Sequence, residues 1–208
     1  GIGGAFAVNV VFGNTDSFID GVTSLSLGDL DVEATRTGWT VSLAAGLAGA
    51  TGSKGTAIAG SVGVNVTLYH TEAALRQITG AVRLGDVSLA ASDSTHVIAV
   101  AGAAGFGGKT GVGVAIGFSW TENVTLAEVN GLDDFQHTGS LDVVADGNGL
   151  IIAVTGSVGI STGAQKGYAG AGTVSVNLIM NTVTARIVDT VQTADAAGDQ
   201  TILADDCT

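Results

Sequence analysis

Proline is absent from the 208 residues of this chain, cysteine occurs once, and only six Phe, two Tyr and two Trp supply the aromatic side chains. An average chain of this length contains roughly ten prolines. Because proline has no backbone N–H, its absence fits a backbone whose N–H groups are nearly all committed to hydrogen-bonded ladders. The single Cys207 has no partner within the chain, so disulfides do not hold the fold together.

Positive charge is also scarce. The chain has 7 Lys and Arg against 19 Asp and Glu, which gives a net charge of -12. An acidic chain with a few scattered cations is a poor partner for nucleic acid or an anionic membrane. His70, His96 and His137 lie in different sequence contexts without a nearby cysteine, so the sequence contains no zinc motif.

Glycine is abundant, with 33 residues, and hydrophobic residues make up 46% of the chain. The glycines follow no three-residue period, which excludes collagen, and the apolar content is too high for a disordered chain. The long uncharged stretches 147–165 and 167–185 contain Gly, Ser, Thr and Asn rather than Leu and Ile, which argues against a transmembrane helix. Glycine mixed with β-branched residues disfavours helices throughout.

Four segments that follow glycine-rich runs alternate large apolar residues with small or amide residues. This period of two is typical of β-strands. The large residues of the four copies are Phe6, Val8, Val10 and Phe12; Val62, Val64, Val66 and Leu68; Val112, Val114, Ile116, Phe118 and Trp120; and Val174, Val176, Leu178 and Met180.

A second block, Gly followed by Asp or Ser and ending on Ala, begins at Gly28, Gly85, Gly139 and Gly198, at spacings of 57, 54 and 59 residues. A third alternating block begins at Trp39, His96 and Leu150 and runs into a small-residue stretch. We therefore expect units of about 55 residues, each with three strands and a glycine-rich return, within one repeat-built domain over 1–208. The approximate units are 1–57, 58–111, 112–169 and an incomplete 170–208.

Such units cannot bury their apolar faces alone and must stack on their neighbours. The predicted fold is an all-β solenoid of stacked repeats. A β-sandwich or meander remains the alternative, because the sequence does not say whether strands pair within a unit or between units.

Acidic residues near the turns offer oxygen ligands for calcium, the one cofactor that the sequence suggests. The candidates are Asp29, Asp31, Asp133, Asp134 and Asp146. None of them follows the spacing of a calcium β-roll or an EF-hand, so solvated turn carboxylates are the preferred interpretation. Asn65 and Asn123 each begin an N-glycosylation triplet.

Residues 103–110 resemble a relaxed phosphate loop, but such a loop requires a helix directly after it, and a strand pattern follows here. Lys54, Lys109 and Lys166 occupy the corresponding turn of three units, so we interpret the motif as a repeated lysine-bearing turn. No arrangement of catalytic residues is recognisable, and the chain is not expected to be an enzyme.

The run Gly1–Thr15 and its fourth-unit relative 170–182 contain Val-Asn-Val or Val-Asn-Leu followed by Asn-Thr, and Gly-Asp-Leu or Gly-Asp-Val blocks begin at Gly28 and Gly85. This pattern resembles repeats of large bacterial filamentous adhesins of the leukotoxin type, which are secreted across the outer membrane. The third unit departs from it at 115–117 and at Gly139-Ser140. The resemblance implies an extended extracellular β-rich stalk and carries no catalytic residues.

The leading hypothesis is a structural protein that forms a fibre or stalk at the cell surface, as in a biofilm. It would be either a segment of a filamentous adhesin or a subunit that joins copies of itself head to tail, with a host or neighbouring cell surface as a further partner. Unpaired edges at both ends favour the second version, because a head-to-tail contact that does not close generates a filament. The expected assembly residues are Gly4, Phe6, Val8, Val10, Phe12 and Ile202.

Two other classes remain open. Alternation of apolar and small polar residues also suits an outer-membrane β-barrel, although ten aromatic residues are few for two interfacial girdles. A β-helix enzyme acting on polysaccharide would need acidic and basic side chains clustered on one face. The cations are spread at one or two per unit, which argues against such a cluster.

Overall fold

A computed structural model describes residues 1–163, 166–193 and 198–207. Within these ranges no helix is long and apolar enough to span a bilayer. The described strands are β1 (Ile2–Asp20), β2 (Leu25–Ser26), β3 (Leu30–Ala50), β4 (Thr56–Leu84), β5 (Val87–Gly107), β6 (Thr110–His137), β7 (Leu141–Ser161), β8 (Tyr168–Gln192) and β9 (Gln200–Cys207).

The strands form two parallel sheets. The first sheet has the order β1-β4-β6-β8, with the short β2 also paired to β4, and the second has the order β3-β5-β7-β9. Each turn of the chain thus places one long strand in each sheet, and every described pairing joins one unit to the next. The expected all-β solenoid is confirmed, and pairing within a unit is not found among the described strands.

Corresponding residues of successive units stand in columns along the stack. Phe6 pairs with Val62, Val62 with Ile116, and Ile116 with Val174. In the second sheet Val32 pairs with Leu89, Leu89 with Val143, and Val143 with Ile202. The alignment of blocks seen in the sequence is therefore the register of the sheets.

The expectation of three strands per unit is wrong. β3 runs without a break from the second block through the third and on to Ala50, and β5 and β7 do the same. Along β3 the apolar residues change sides, from the inward Leu30 and Val32 to the outward Trp39 and Val41. This change of side resembles a strand break in the sequence, although the backbone stays extended.

Left-handed residues form a column of their own in the first sheet. The chain has positive φ at Gly21 (67°), Gln77 (53°), Gly131 (67°) and Asp189 (47°). In β4 the inward residues are Ala73 and Leu75 before Gln77 and Ile78, Val82 and Leu84 after it. The left-handed residue thus switches which side of the strand faces the interior, in the manner of a β-bulge.

An ordinary hydrophobic core fills the half of the stack next to the Gly-Asp turns, which we call the wide half. Leu75, Ile78 and Phe135 of the first sheet pack there with Leu89 and Val143 of the second. Burial of each such side chain contributes about 1.5–3 kcal/mol. This core accounts for most of the apolar burial that holds the sheets together.

The other half, next to the turns at 51–55 and 108–109, is built differently, and we call it the narrow half. Its interior contains Ala57, Ala59, Ala101, Ala103 and Ala115. A Cβ atom on Gly46 would overlap the carbonyl oxygen of Gly60 in the facing sheet. One carbon atom is enough to reach the opposite backbone, so the sheets lie closer than the roughly 10 Å usual for stacked sheets.

A polar band separates the two halves. Asp93 is buried there and accepts hydrogen bonds from Thr71 (3.3 Å) and Thr95 (2.7 Å). Arg36 points inward, 3.8 Å from Asp93, with its guanidinium over the ring of Tyr69. Burial lowers the pKa of Arg36, and the negative charge that Tyr69 and Asp93 can carry opposes this.

Candidate assembly edges

Two long strands, β1 and β3, lie at one end of the stack, and β8 and β9 lie at the other, where β9 covers only the first part of β7, Leu141–Asn148. Among the described strands, each of these four continues its sheet on one side only. Their outer backbone N–H and C=O groups are free to pair with a further strand. The two ends are therefore the places where this architecture can be extended.

The structure separates the six residues expected at the assembly interface. Gly4, Phe6, Val8, Val10 and Phe12 lie on β1, and the side chains of Phe6 and Phe12 are 72% and 77% exposed on the outer face of the first sheet. Ile202 lies on β9, at the opposite end of the stack and in the other sheet. Within one chain these residues do not form a common surface, and the continuing partner of Ile202 would be a strand equivalent to β3.

Large apolar residues cover the outer faces of both sheets in the narrow half. On the second sheet Trp39, Val41 and Leu43 are each more than 60% exposed, and the rings of Trp39 and His96 stack at 4.4 Å. These are the residues that sequence reasoning expected to be buried by stacking. Because the facing backbones nearly touch, most interior positions hold Gly, Ala, Ser or Thr, with Asn65 and Val97 as larger exceptions, and most large side chains point outward.

Amide and hydroxyl side chains form a ladder inside the first sheet. Asn9 Nδ2 donates to Asn65 Oδ1 at 3.0 Å, and Asn65 Nδ2 donates to Ser42 Oγ at 2.9 Å and to Ser119 Oγ at 3.4 Å. Asn65 is fully buried, and the equivalent position in β8 is Asn177. The Val-Asn-Val motif thus places an amide where it links neighbouring turns.

Both N-glycosylation triplets fall within this interior. Asn65 is 0% exposed and Asn123 is 2% exposed. The Nδ2 of Asn123 also donates to Asn181 at 3.2 Å. A glycan on either amide is therefore incompatible with the folded stack.

The Gly-Asp turns form a second ladder along the stack. Asp29 Oδ1 accepts from the backbone N–H of Asp86 at 3.0 Å, and Asp86 Oδ1 accepts from the backbone N–H of Ser140 at 2.6 Å. Asp29, one of the calcium candidates, is thus already engaged by the backbone of the next unit. This ladder gives a structural reason for the acidic residue after the first two block glycines.

The other calcium candidates are dispersed. Asp134 pairs with Arg83 at 2.6 Å, and this pairing, with a hydrogen bond from Thr193, lowers the pKa of Asp134. Asp31, Asp133 and Asp146 are exposed. In the part of the chain that the structure describes, none of the five belongs to a group of three possible metal ligands.

The cations are less scattered than the sequence suggests. Lys54, Lys109 and Lys166 line one cavity of about 450 Å³ beside the turns of the narrow half. Gln165, which precedes Lys166, lies outside the described residues. Strand β6 begins at Thr110, directly after Lys109, so no helix follows the phosphate-loop-like segment.

A second group of charges lies on the outer face of the first sheet. Glu128 is buried and accepts from Arg186 at 2.7 and 2.9 Å, while Arg76 pairs with Asp20 at 3.0 Å and also with Glu72. Hydrogen bonding to Asp20 raises the pKa of Arg76. The expectation that spread-out cations cannot cluster is wrong, because the repeat stacks residues that are far apart in sequence.

Sequence reasoning also missed a meeting of Asp16, His70 and Glu72 on this outer face. Asp16 of β1 pairs directly with Glu72 of β4. The signal was available in the 56-residue offset between Asn9 and Asn65 of the Val-Asn-Val motifs. Applying that offset to Asp16 gives Glu72.

Comparisons with protein-family models, with curated proteins and with solved structures find no match to this chain.

Proposed function

We propose that this chain is a structural element of an extracellular fibre in which the stack of turns continues beyond its edge strands. The continuation is supplied either by copies joined head to tail or by further turns of a longer adhesin-like chain. The observation that carries the proposal is the column register, which is kept from turn to turn in both sheets apart from shifts at Ile78/Ala81 and Leu132/Phe135. The extracellular setting rests on the resemblance of the motifs to filamentous adhesin repeats.

The columns specify how an added turn would fit. A β1 strand placed next to β8 would set Phe6 beside Val174, and Val8, Val10 and Phe12 would follow beside Val176, Leu178 and Met180. The same step would set Asn9 beside Asn177 and extend the amide ladder. In the second sheet, Ile202 would meet a residue equivalent to Val32.

The outer apolar faces support association along the sides of the fibre. Soluble monomers rarely expose apolar patches of more than a few hundred Å². Here both sheets of the narrow half expose large residues on every described turn. Such a surface suits attachment to a host or neighbouring cell, or packing of fibres side by side.

Negative-stain electron microscopy of the purified chain tests the proposal. Long unbranched filaments would support joining of copies, and single short rods would support continuation within a longer chain. Compact globules would contradict both versions. Cleavage of any member of a glycan panel, by hydrolysis or by a lyase reaction, would contradict a purely structural role.

A pair of edge variants separates ladder pairing from hydrophobic contact. The carbonyl of Gly1 accepts from Ile58 in β4, and backbone direction alternates along a strand, so the N–H groups of Val8 and Val10 face the open edge. We expect the double variant V8P/V10P to keep the β-sheet circular dichroism spectrum but to lose filaments. The control V8A/V10A, which retains both N–H groups, should still form them.

A further inference from the structure

Asp16, His70 and Glu72 bring three metal-ligating side chains together on the outer face of the first sheet. One ligand atom of each lies within 4.8 Å of the other two. His70 and Glu72 are two residues apart on β4 and share one face of that strand, and Asp16 is the cross-strand neighbour of Glu72 on β1. The sheet itself therefore sets the spacing of the three groups.

This arrangement is unfavourable without a further cation. Two carboxylates directly opposite on paired strands repel each other. Arg76 pairs with Glu72, with Asp20 and, at 3.8 Å, with Glu128, so its charge is shared among three carboxylates other than Asp16. A positive ion between Asp16 and Glu72 would remove the remaining repulsion.

The second carboxylate oxygen of Glu72 is turned towards the histidine. Glu72 Oε1 contacts Arg76, whereas Oε2 lies 3.5 Å from His70 Nε2. That distance is long for a hydrogen bond. It matches the separation of about 3.4 Å between two ligand atoms that are each about 2.1 Å from one tetrahedral ion.

We propose that Asp16, His70 and Glu72 bind a divalent transition-metal ion, with Zn²⁺ the best match to one imidazole and two carboxylates. Calcium and magnesium favour all-oxygen ligand sets, whereas imidazole favours zinc and its neighbours. Asp16 is exposed and can rotate towards the ion, while Glu72 is buried and held by Arg76. A hollow of about 240 Å³ lies on the Asn14 and Glu122 side of His70.

The ion would tie the edge strand to its neighbour. Asp16 belongs to β1, the terminal strand of the first sheet, and the other two ligands belong to β4. Metal binding would therefore stabilise β1 against fraying. This inference does not depend on fibre formation and can be tested on chains that do not assemble.

The test uses the full chain in a Cys207→Ser background, because the exposed thiol lies beside Asp205 and Asp206 and could bind zinc on its own. After treatment with a chelator, Zn²⁺ binding is measured by isothermal titration calorimetry, and Co²⁺ binding by visible absorption. We expect one ion per chain and a melting temperature that rises with Zn²⁺ until the site is saturated.

Two variants and two matched controls decide the outcome. Asp16→Asn and His70→Gln should each weaken Zn²⁺ binding at least tenfold and abolish the rise in melting temperature. Asp31→Asn, an exposed carboxylate on β3, and His96→Gln should leave both unchanged. Failure to bind Zn²⁺, or equal binding by Asp16→Asn and the parent chain, would overturn the proposal.

Discussion

The backbone N–H of Asp86 donates to the carboxylate of Asp29 at 3.0 Å, and these two residues hold the same place in successive turns of the stack. Asp86 then accepts in the same way from Ser140. The first three turns are thus held to one another by side chains as well as by the strand ladders. The same residue type serves as acceptor for one neighbour and as donor to another.

Asp86→Ala should destabilise the fold because it leaves the N–H and hydroxyl of Ser140 without their acceptor. We expect a loss of about 1–2 kcal/mol in the free energy of unfolding, measured by urea denaturation. Asp86→Asn keeps an acceptor oxygen and should recover most of that loss. Equal losses in the two variants would contradict the role of this ladder.

Gly46→Ala should be strongly destabilising, because the new Cβ would overlap the backbone of Gly60. We expect a loss of about 3 kcal/mol, since the sheets must move apart along the narrow half. Gly49→Ala is the matched control on the same strand, where a Cβ meets nothing within 4 Å, and it should change stability by less than about 0.5 kcal/mol. Similar unfolding curves for the two variants would show that the close approach is not required.

Asn65→Ala should cost about 2–3 kcal/mol, because it removes the bonds to Ser42 and Ser119 and one of the two acceptors of the Asn9 amide. Asn9→Ala removes the bonds to Asn65 and to the Val41 carbonyl at the more exposed end of the ladder, and it should cost less than Asn65→Ala, about 1 kcal/mol. Chemical denaturation of both variants measures the difference. Equal and small losses of unfolding free energy in the two variants would contradict a stabilising role for the ladder.

Gln77→Gly should stabilise the chain, because Gln77 has φ of 53° whereas the equivalent residues Gly21 and Gly131 are glycines. The left-handed conformation costs a residue with a Cβ roughly 1–2 kcal/mol, which the greater chain entropy of glycine partly offsets. We expect a net gain of about 0.5–1 kcal/mol in thermal or urea unfolding. The reciprocal control, Gly131→Ala, should lose stability.

Asp134→Asn should lose stability at neutral pH and approach the parent chain in acid. Because Arg83 lowers the pKa of folded Asp134, this carboxylate adds stability above its unfolded pKa and loses it as the pH falls through the folded pKa. Urea unfolding at neutral pH and at a series of values below about 4 measures the effect. The exposed neighbour Asp133 provides the control Asp133→Asn, and a deficit that persists at the lowest pH would refute the assignment.

The repeat and the all-β class could be predicted because strand alternation and the 54 to 59-residue spacings are local features of the sequence. The sequence could not predict which face of each strand points to the interior. In the wide half the large residues are inside, and in the narrow half they are outside, because facing backbones such as those of Gly46 and Gly60 leave no room. The rule that large apolar side chains are buried holds for Leu75, which is fully buried, and fails for Phe12, which is exposed.

The edge strands could be foreseen from the repeat, whereas the meeting of Asp16 with His70 and Glu72 depends on register. Asp20 pairs with Arg76, an offset of 56 residues, whereas Leu25 pairs with Val82, an offset of 57. The block glycines suggest 57, and that offset applied to Asp16 would give Ala73, on the opposite face of the strand. A one-residue slip moves every side chain to the other side of a sheet, so the cluster follows only if the 56-residue offset of the Val-Asn-Val motifs is chosen over the 57 of the block glycines.

Because of the outward apolar columns, the length of the stack also determines how many lateral contacts it can make. Each added turn contributes another row of the kind that Trp39, Val41 and Leu43 begin, so the number of weak contacts along the sides grows in proportion to the number of turns. Many weak contacts made by one rigid body act together, so the avidity of the whole fibre far exceeds the affinity of any single contact. The number of turns therefore sets the avidity of the fibre for a surface as well as the length of the fibre.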